Sequence, residues 1–198
     1  MLQSPWPGME YGSVLEEGQN LAEAAQRTRP PSFRDAEIQA ALEALSANRS
    51  VILIGPPGVG KTAVLEGIAH RIGEDVSAGM HRLTTAQIMS GTRYLGEWES
   101  KLTRLMSECE QSNIVLNIVD VWNLPTVGST MQSRANLLDA MRPRLAEGRL
   151  RLISEATAEQ IQEMSRFPKF VSLFELIRIE PLSATELRAI VDGEATAM

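Results

Sequence analysis

Gly55-Pro56-Pro57-Gly58-Val59-Gly60-Lys61-Thr62 follows the pattern G-x-x-x-x-G-K-T, whose residue types together solve one problem, the holding of a polyphosphate. The glycines let successive backbone N–H groups turn inward on phosphate oxygens. Lys61 can reach the β- and γ-phosphates, and the Thr62 hydroxyl can ligate Mg²⁺. With Ala63 in the following turn, Gly55 to Ala63 form the candidate site for ATP or ADP. A second candidate lies at the end of the apolar run Ile114-Val115-Leu116-Asn117-Ile118-Val119-Asp120, where the Asp120 carboxylate could hold the Mg²⁺ shell together with Thr62.

These groups need elements to position them. Val51-Ile52-Leu53-Ile54 reads as a buried strand running into the phosphate loop, and Ala63 to Ile72 as the helix leaving it. Upstream, Leu15 to Gln26 reads as helical, and Arg34 to Ala47 as an amphipathic helix carrying Ile38, Leu42 and Leu45 on one face. Downstream, a weak strand at Met80 to Leu83 precedes a helix from Glu97 to Glu110 with Leu102, Leu105 and Met106 inward. Helices at Met131 to Ala146 and Ala158 to Met164 alternate with strands at Leu150 to Ile153 and within Phe170 to Ile179. Such alternation predicts an α/β fold, a parallel sheet flanked by helices with the nucleotide at the carboxyl ends of its strands.

The chain has 198 residues and 43% hydrophobic content, enough for one sizeable core. Its 19 Lys+Arg against 25 Asp+Glu give a net charge of -6, the wrong sign for a nucleic-acid-coating surface, so no nucleic acid is expected as partner. No apolar run approaches the roughly 18 residues of a membrane span, and Met1 to Ser13 lacks the features of a signal peptide. A lone Cys109 cannot form an internal disulfide, which fits a reducing compartment, and a cytoplasmic location is expected. Cys109 reads as a packed helix residue, and His70 and His81 have no partners at metal-ligand spacing. Residues 1–14 read as a loose arm, 15–183 as the α/β domain and 184–198 as a separate terminal helix and tail.

From Leu15 to about Gly193 the chain resembles the AAA+ ATPase module of Clp-type chaperones and unfoldases, most closely the first nucleotide-binding domain of the ClpB, ClpC and ClpA group. The resemblance rests on Leu15 to Leu21, on Arg34-Asp35-Ala36-Glu37-Ile38 beside the family's G-R-D-E-E-I, and on the phosphate loop with Ala63 to Ala69. It continues through Gly91-Thr92-Arg93-Tyr94-Leu95-Gly96-Glu97-Trp98-Glu99, similar to the pore loop G-A-K-Y-R-G-E-F-E, and Arg142 to Leu150, similar to K-P-A-L-A-R-G-E-L. The resemblance implies the P-loop NTPase core, the AAA+ large subdomain, with 184–198 as the start of a small lid helix. It also implies protein-subunit partners, among them an intact Clp-like ATPase, and a Tyr94 exposed on a loop that grips polypeptide.

Departures from that family bear on chemistry. Where the family's strand ends Asp-Glu, Asp120 is followed by Val121, which can neither accept a proton nor orient water. The polar G-A-T-T segment corresponds to Ser154-Glu155-Ala156-Thr157, and the stretch Lys169 to Leu176 contains no arginine to reach a neighbour's γ-phosphate. Two such losses predict a nucleotide-dependent regulatory or assembly component that hydrolyses ATP poorly. The rivals are a working chaperone ATPase subunit, with Glu155 as a nonstandard catalytic carboxylate, and a scaffold that binds no nucleotide.

Overall fold

A computed structural model describes residues 13–75, 77–92, 96–129 and 135–196. Tyr94 and its neighbours Arg93 and Leu95 therefore lie outside the described residues. The strands are β1 (Gln19–Asn20), β2 (Ser50–Ile54), β3 (Gly79–Leu83), β4 (Ile114–Ile118), β5 (Arg151–Ala156) and β6 (Phe174–Arg178). They form one sheet in the order β1-β3-β4-β5-β2-β6, parallel throughout except for β1. Parallel neighbours require crossovers, and the helices are α1 (Leu21–Ala25), α2 (Asp35–Ser46), α3 (Lys61–Gly73), α4 (Thr85–Met89), α5 (Glu97–Gln111), α6 (Leu137–Ala146), α7 (Ala158–Met164) and, after the last strand, α8 (Ala184–Thr196).

The central strands read as near-continuous apolar runs because both faces of the sheet are covered. Successive side chains go to opposite faces. Ile52, Leu116, Ile118 and Leu152 join a core with Leu102, Leu105 and Met106 of α5 and Leu138 and Met141 of α6. Val51, Leu53, Val115 and Ile153 join a second core with Ile38 of α2 and Val64, Leu65 and Ile68 of α3. The phosphate loop thus emerges from β2 and feeds α3 on one face, while α4 and α5 lie on the other, with Ile88 of α4 buried in the α5-side core.

The segment Leu15 to Gln26 is not one helix. A 3₁₀ turn at Val14–Glu17 ends at Gly18, and Gln19–Asn20 pair with β3 before α1 begins. Gly18 enforces the break, since a Cβ there would stand 2.4 Å from the Arg82 carbonyl oxygen. Asn20 then restarts the helix by accepting from Glu23 N at 3.1 Å. The helix expected from Met131 instead begins at Leu137, where Asn136 accepts from Asp139 N at 2.9 Å; residues 130–134 are not described. An unexpected element, α4, is framed by a reciprocal capping box between Thr84 and Gln87.

Candidate functional site

At the end of β2 the chain makes a wide turn through Gly55 to Gly60 and enters α3 at Lys61. Gly58 (φ 78°) and Gly60 (φ 101°) occupy left-handed backbone that a side chain would strain. Gly55 is needed for space, because a Cβ there would lie 2.8 Å from both the Ile179 carbonyl oxygen and Val59 Cγ1. Its N–H donates to Ala156 O at 3.2 Å, tying the loop to the end of β5. Lys61 Nζ donates to the carbonyls of Gly55 and Pro56, both at 2.9 Å, so the ammonium folds over the loop it belongs to. These neutral acceptors are weaker partners than a phosphate oxygen. Thr62 is exposed beside it, at the second position of α3.

A residue without assigned chemistry in the sequence holds this loop from behind. Arg34, 4% exposed, donates through Nη2 to Val59 O at 2.6 Å and through Nη1 to Glu180 O and Glu37 Oε1, both at 2.9 Å. The Val59–Gly60 peptide is trans, so its N–H points opposite to its carbonyl. Holding the carbonyl toward Arg34 therefore turns the Gly60 N–H away from that guanidinium. Gly55, Pro56 and Pro57 also border a hollow shared with Glu159, Arg178 and Glu180 at the carboxyl ends of β2, β5 and β6.

Asp120 is engaged elsewhere. Its carboxylate accepts from Thr85 N at 2.8 Å, from Thr85 Oγ1 at 2.5 Å and from Asn123 Nδ2 at 3.1 Å. Partial burial pushes the carboxyl pKa up, but these hydrogen bonds outweigh it and hold the group below the ordinary aspartate range. Thr85 opens α4, so Asp120 looks toward the α5 side of the sheet. Val119, one residue earlier, continues the ladder through its N–H to Leu83 O at 3.0 Å and is 43% exposed. By strand alternation from Ile118 its side chain takes the α3 side.

For Val121 the structure corrects the sequence expectation. The residue is fully buried in the α5-side core, because the chain leaves β4 at Ile118 and coils into a 3₁₀ turn at Val121–Asn123 that draws it inward. It therefore does not stand where an attacking water would be positioned. Farther along, Ala156 is buried, and Thr157 is occupied as the N-cap of α7, accepting from Gln160 N in a capping box. Buried Ser154 donates to Ile118 O at 2.7 Å. Trp98 is buried and packs against Gly128, as a packing residue should. Burial pushes the Cys109 thiol up to about 12, helped by Glu108 and Glu110, so it stays protonated. No cluster of three or more His, Cys, Asp or Glu side chains that could hold a metal occurs among the described residues. None of their helices is long and apolar enough to cross a membrane.

Residues 51–173 match the family model described as ATPase family associated with various cellular activities (AAA). The chaperone protein ClpB of Prochlorococcus marinus is 33% identical over 202 residues, covering 94% of this chain and 23% of the relative. The ATP-dependent Clp protease ATP-binding subunit ClpE of Streptococcus pneumoniae is 29% identical over 202 residues, covering 96% of this chain and 27% of the relative. The chain thus spans about a quarter of the length of these curated relatives. Among solved structures, the S. cerevisiae Hsp104:casein complex superposes with a TM-score of 0.78 at 27% identity, over 91% of this chain and 33% of that one.

Proposed function

The chain belongs to the AAA family of ATPases, as a partial AAA+ module of the Clp type, and from that premise we propose that it binds ATP or ADP with Mg²⁺ and hydrolyses ATP slowly. The phosphates are received by the N–H groups of Gly58 to Ala63, with Gly55, Pro56 and Pro57 shaping the approach and Lys61 neutralising β/γ charge. Mg²⁺ would supply further neutralisation there, with the Thr62 hydroxyl as one ligand. Asp120 would have to exchange Thr85 for the metal to serve as another. The observation that carries this reading is the Lys61 ammonium held over the loop by two carbonyls, with Gly58 and Gly60 already left-handed. Titration calorimetry with ADP and Mg²⁺ tests it. Lys61→Ala should weaken affinity at least about tenfold, a loss typical of one charge-assisted contact; equal affinity in both proteins would remove the claim.

Slow hydrolysis is supported by what the candidate groups are doing. Asp120 is bonded to Thr85, Thr157 caps α7, and Lys169 to Leu176 has no arginine. An arginine donated by a neighbour is worth roughly 10³–10⁵ in rate. Such a module keeps bound ATP as a structural state, which suits a regulatory or assembly component working with other protein subunits. The active-subunit reading has one observation in its favour, the Glu155 carboxylate on the strand beside β2; steady-state turnover separates the two.

A further inference from the structure

Glu155 is a carboxylate on the α3 face of the sheet at the level of the phosphate loop, whereas Asp120 is bonded to Thr85. Along β5, Ile153 points into the α3-side core and the next side chain, Ser154, reaches toward β4, so Glu155 returns to the α3 side. Register fixes its neighbours. Glu155 pairs with Leu53 of β2, and Ala156 beside it accepts from the Gly55 N–H that opens the loop. On its other flank Asn117 pairs with Ile153, so continuing that parallel ladder brings Val119 level with Glu155. Between β4 and β2, this face therefore presents an apolar Val119 and an acidic Glu155.

Glu155 Oε1 is buried without a hydrogen-bond partner. A buried polar oxygen left unpaired costs about 1–3 kcal/mol, so native proteins rarely keep one idle. The chemistry that fits is a hard divalent cation, which takes one or two carboxylates, a hydroxyl and phosphate oxygens together. Thr62, exposed at the start of α3 on the same face, supplies the hydroxyl.

We propose that Glu155, rather than Asp120, is the carboxylate that holds the divalent cation accompanying the bound nucleotide. This rests on the nucleotide-binding reading above. The site is a Mg²⁺-nucleotide site whose protein ligands come from α3 and β5, with β4 presenting the apolar Val119 beside Glu155.

The full chain can be tested with Mn²⁺ as the probe, read by the paramagnetic resonance signal of free Mn²⁺ in the presence of ADP, alongside ADP calorimetry in EDTA. Glu155→Gln should weaken Mn²⁺ binding to the ADP complex by about 10–100-fold and leave ADP affinity in EDTA unchanged. Asp120→Asn should leave both unchanged. A Glu155→Asp variant keeps the charge but shortens the reach, and should give an intermediate Mn²⁺ affinity, which covers the case in which Glu155→Gln folds poorly. Undiminished Mn²⁺ affinity in the Glu155 variants, or a loss confined to Asp120→Asn, would overturn the assignment while leaving nucleotide binding intact. Wild-type protein that binds no ADP with or without Mn²⁺ would overturn the nucleotide reading and this proposal with it.

Discussion

Arg34 donates to the carbonyl of Val59 at 2.6 Å, and that single bond orients the peptide that carries the Gly60 N–H. The same guanidinium reaches Glu180 O, so the phosphate loop, the start of α2 and the segment after β6 are clamped by one buried side chain. Arg34→Ala should lower folding stability by about 2–3 kcal/mol, the cost of leaving buried acceptors unpaired. It should also weaken ADP binding more than adenosine binding, because the lost order is in the phosphate contacts. Urea unfolding and paired titrations check the two effects separately; equal loss for both ligands would mean the clamp acts on the fold alone.

Val121 lies in the α5-side core, so restoring a carboxylate there does not restore a catalyst. Val121→Glu buries a charge without a partner and should destabilise the protein by about 3 kcal/mol or more, with no gain in turnover. Thermal unfolding beside a phosphate-release assay reads both, and a stable, faster variant would contradict the burial argument.

Asp120 serves α4 through Thr85. Its folded pKa is depressed, so its contribution to stability is present above the ordinary aspartate value and is lost as pH falls through the folded value. Asp120→Ala should cost about 1–2 kcal/mol at pH 7, as for other capping groups. That cost should shrink at an acidic pH below the depressed folded value, where the carboxylate has taken up its proton. Denaturant titrations of both proteins at the two pH values test this, and a pH-independent difference would show that the charge is not what Thr85 binds.

Much of this architecture is legible in the order of the residues. The phosphate loop and α3 announce themselves by glycine spacing and 3.6-residue periodicity, and α7 by Thr157 and Gln160, the two partners of its capping box. The same signature at Thr84 and Gln87 marks α4, an element too short for periodicity to reveal. The end of β4 is hidden for a different reason. A strand alternates faces every residue, so where it stops and coils decides which of Val119, Asp120 and Val121 meets the loop, and no local pattern fixes that stop. The Arg34 clamp joins residues 25 and 146 positions apart, contacts that only the folded sheet brings together.

Association should depend on a partner. The chain offers a phosphate loop but no arginine within Lys169 to Leu176 to return to a neighbour, so self-assembly through that contact lacks one half. Light scattering should find a monomer or weak small oligomer, with ATP promoting association only when an intact Clp-like ATPase is added. A stable hexamer of this chain alone with ATP would count against the account.

The fate of bound ATP decides the central claim. With protein in excess over radiolabelled ATP and Mg²⁺, a single-turnover time course should show the nucleotide retained and still largely triphosphate after several minutes. Conversion to ADP at about 1 per second, the scale of working enzymes, would contradict it and make the chain an active ATPase.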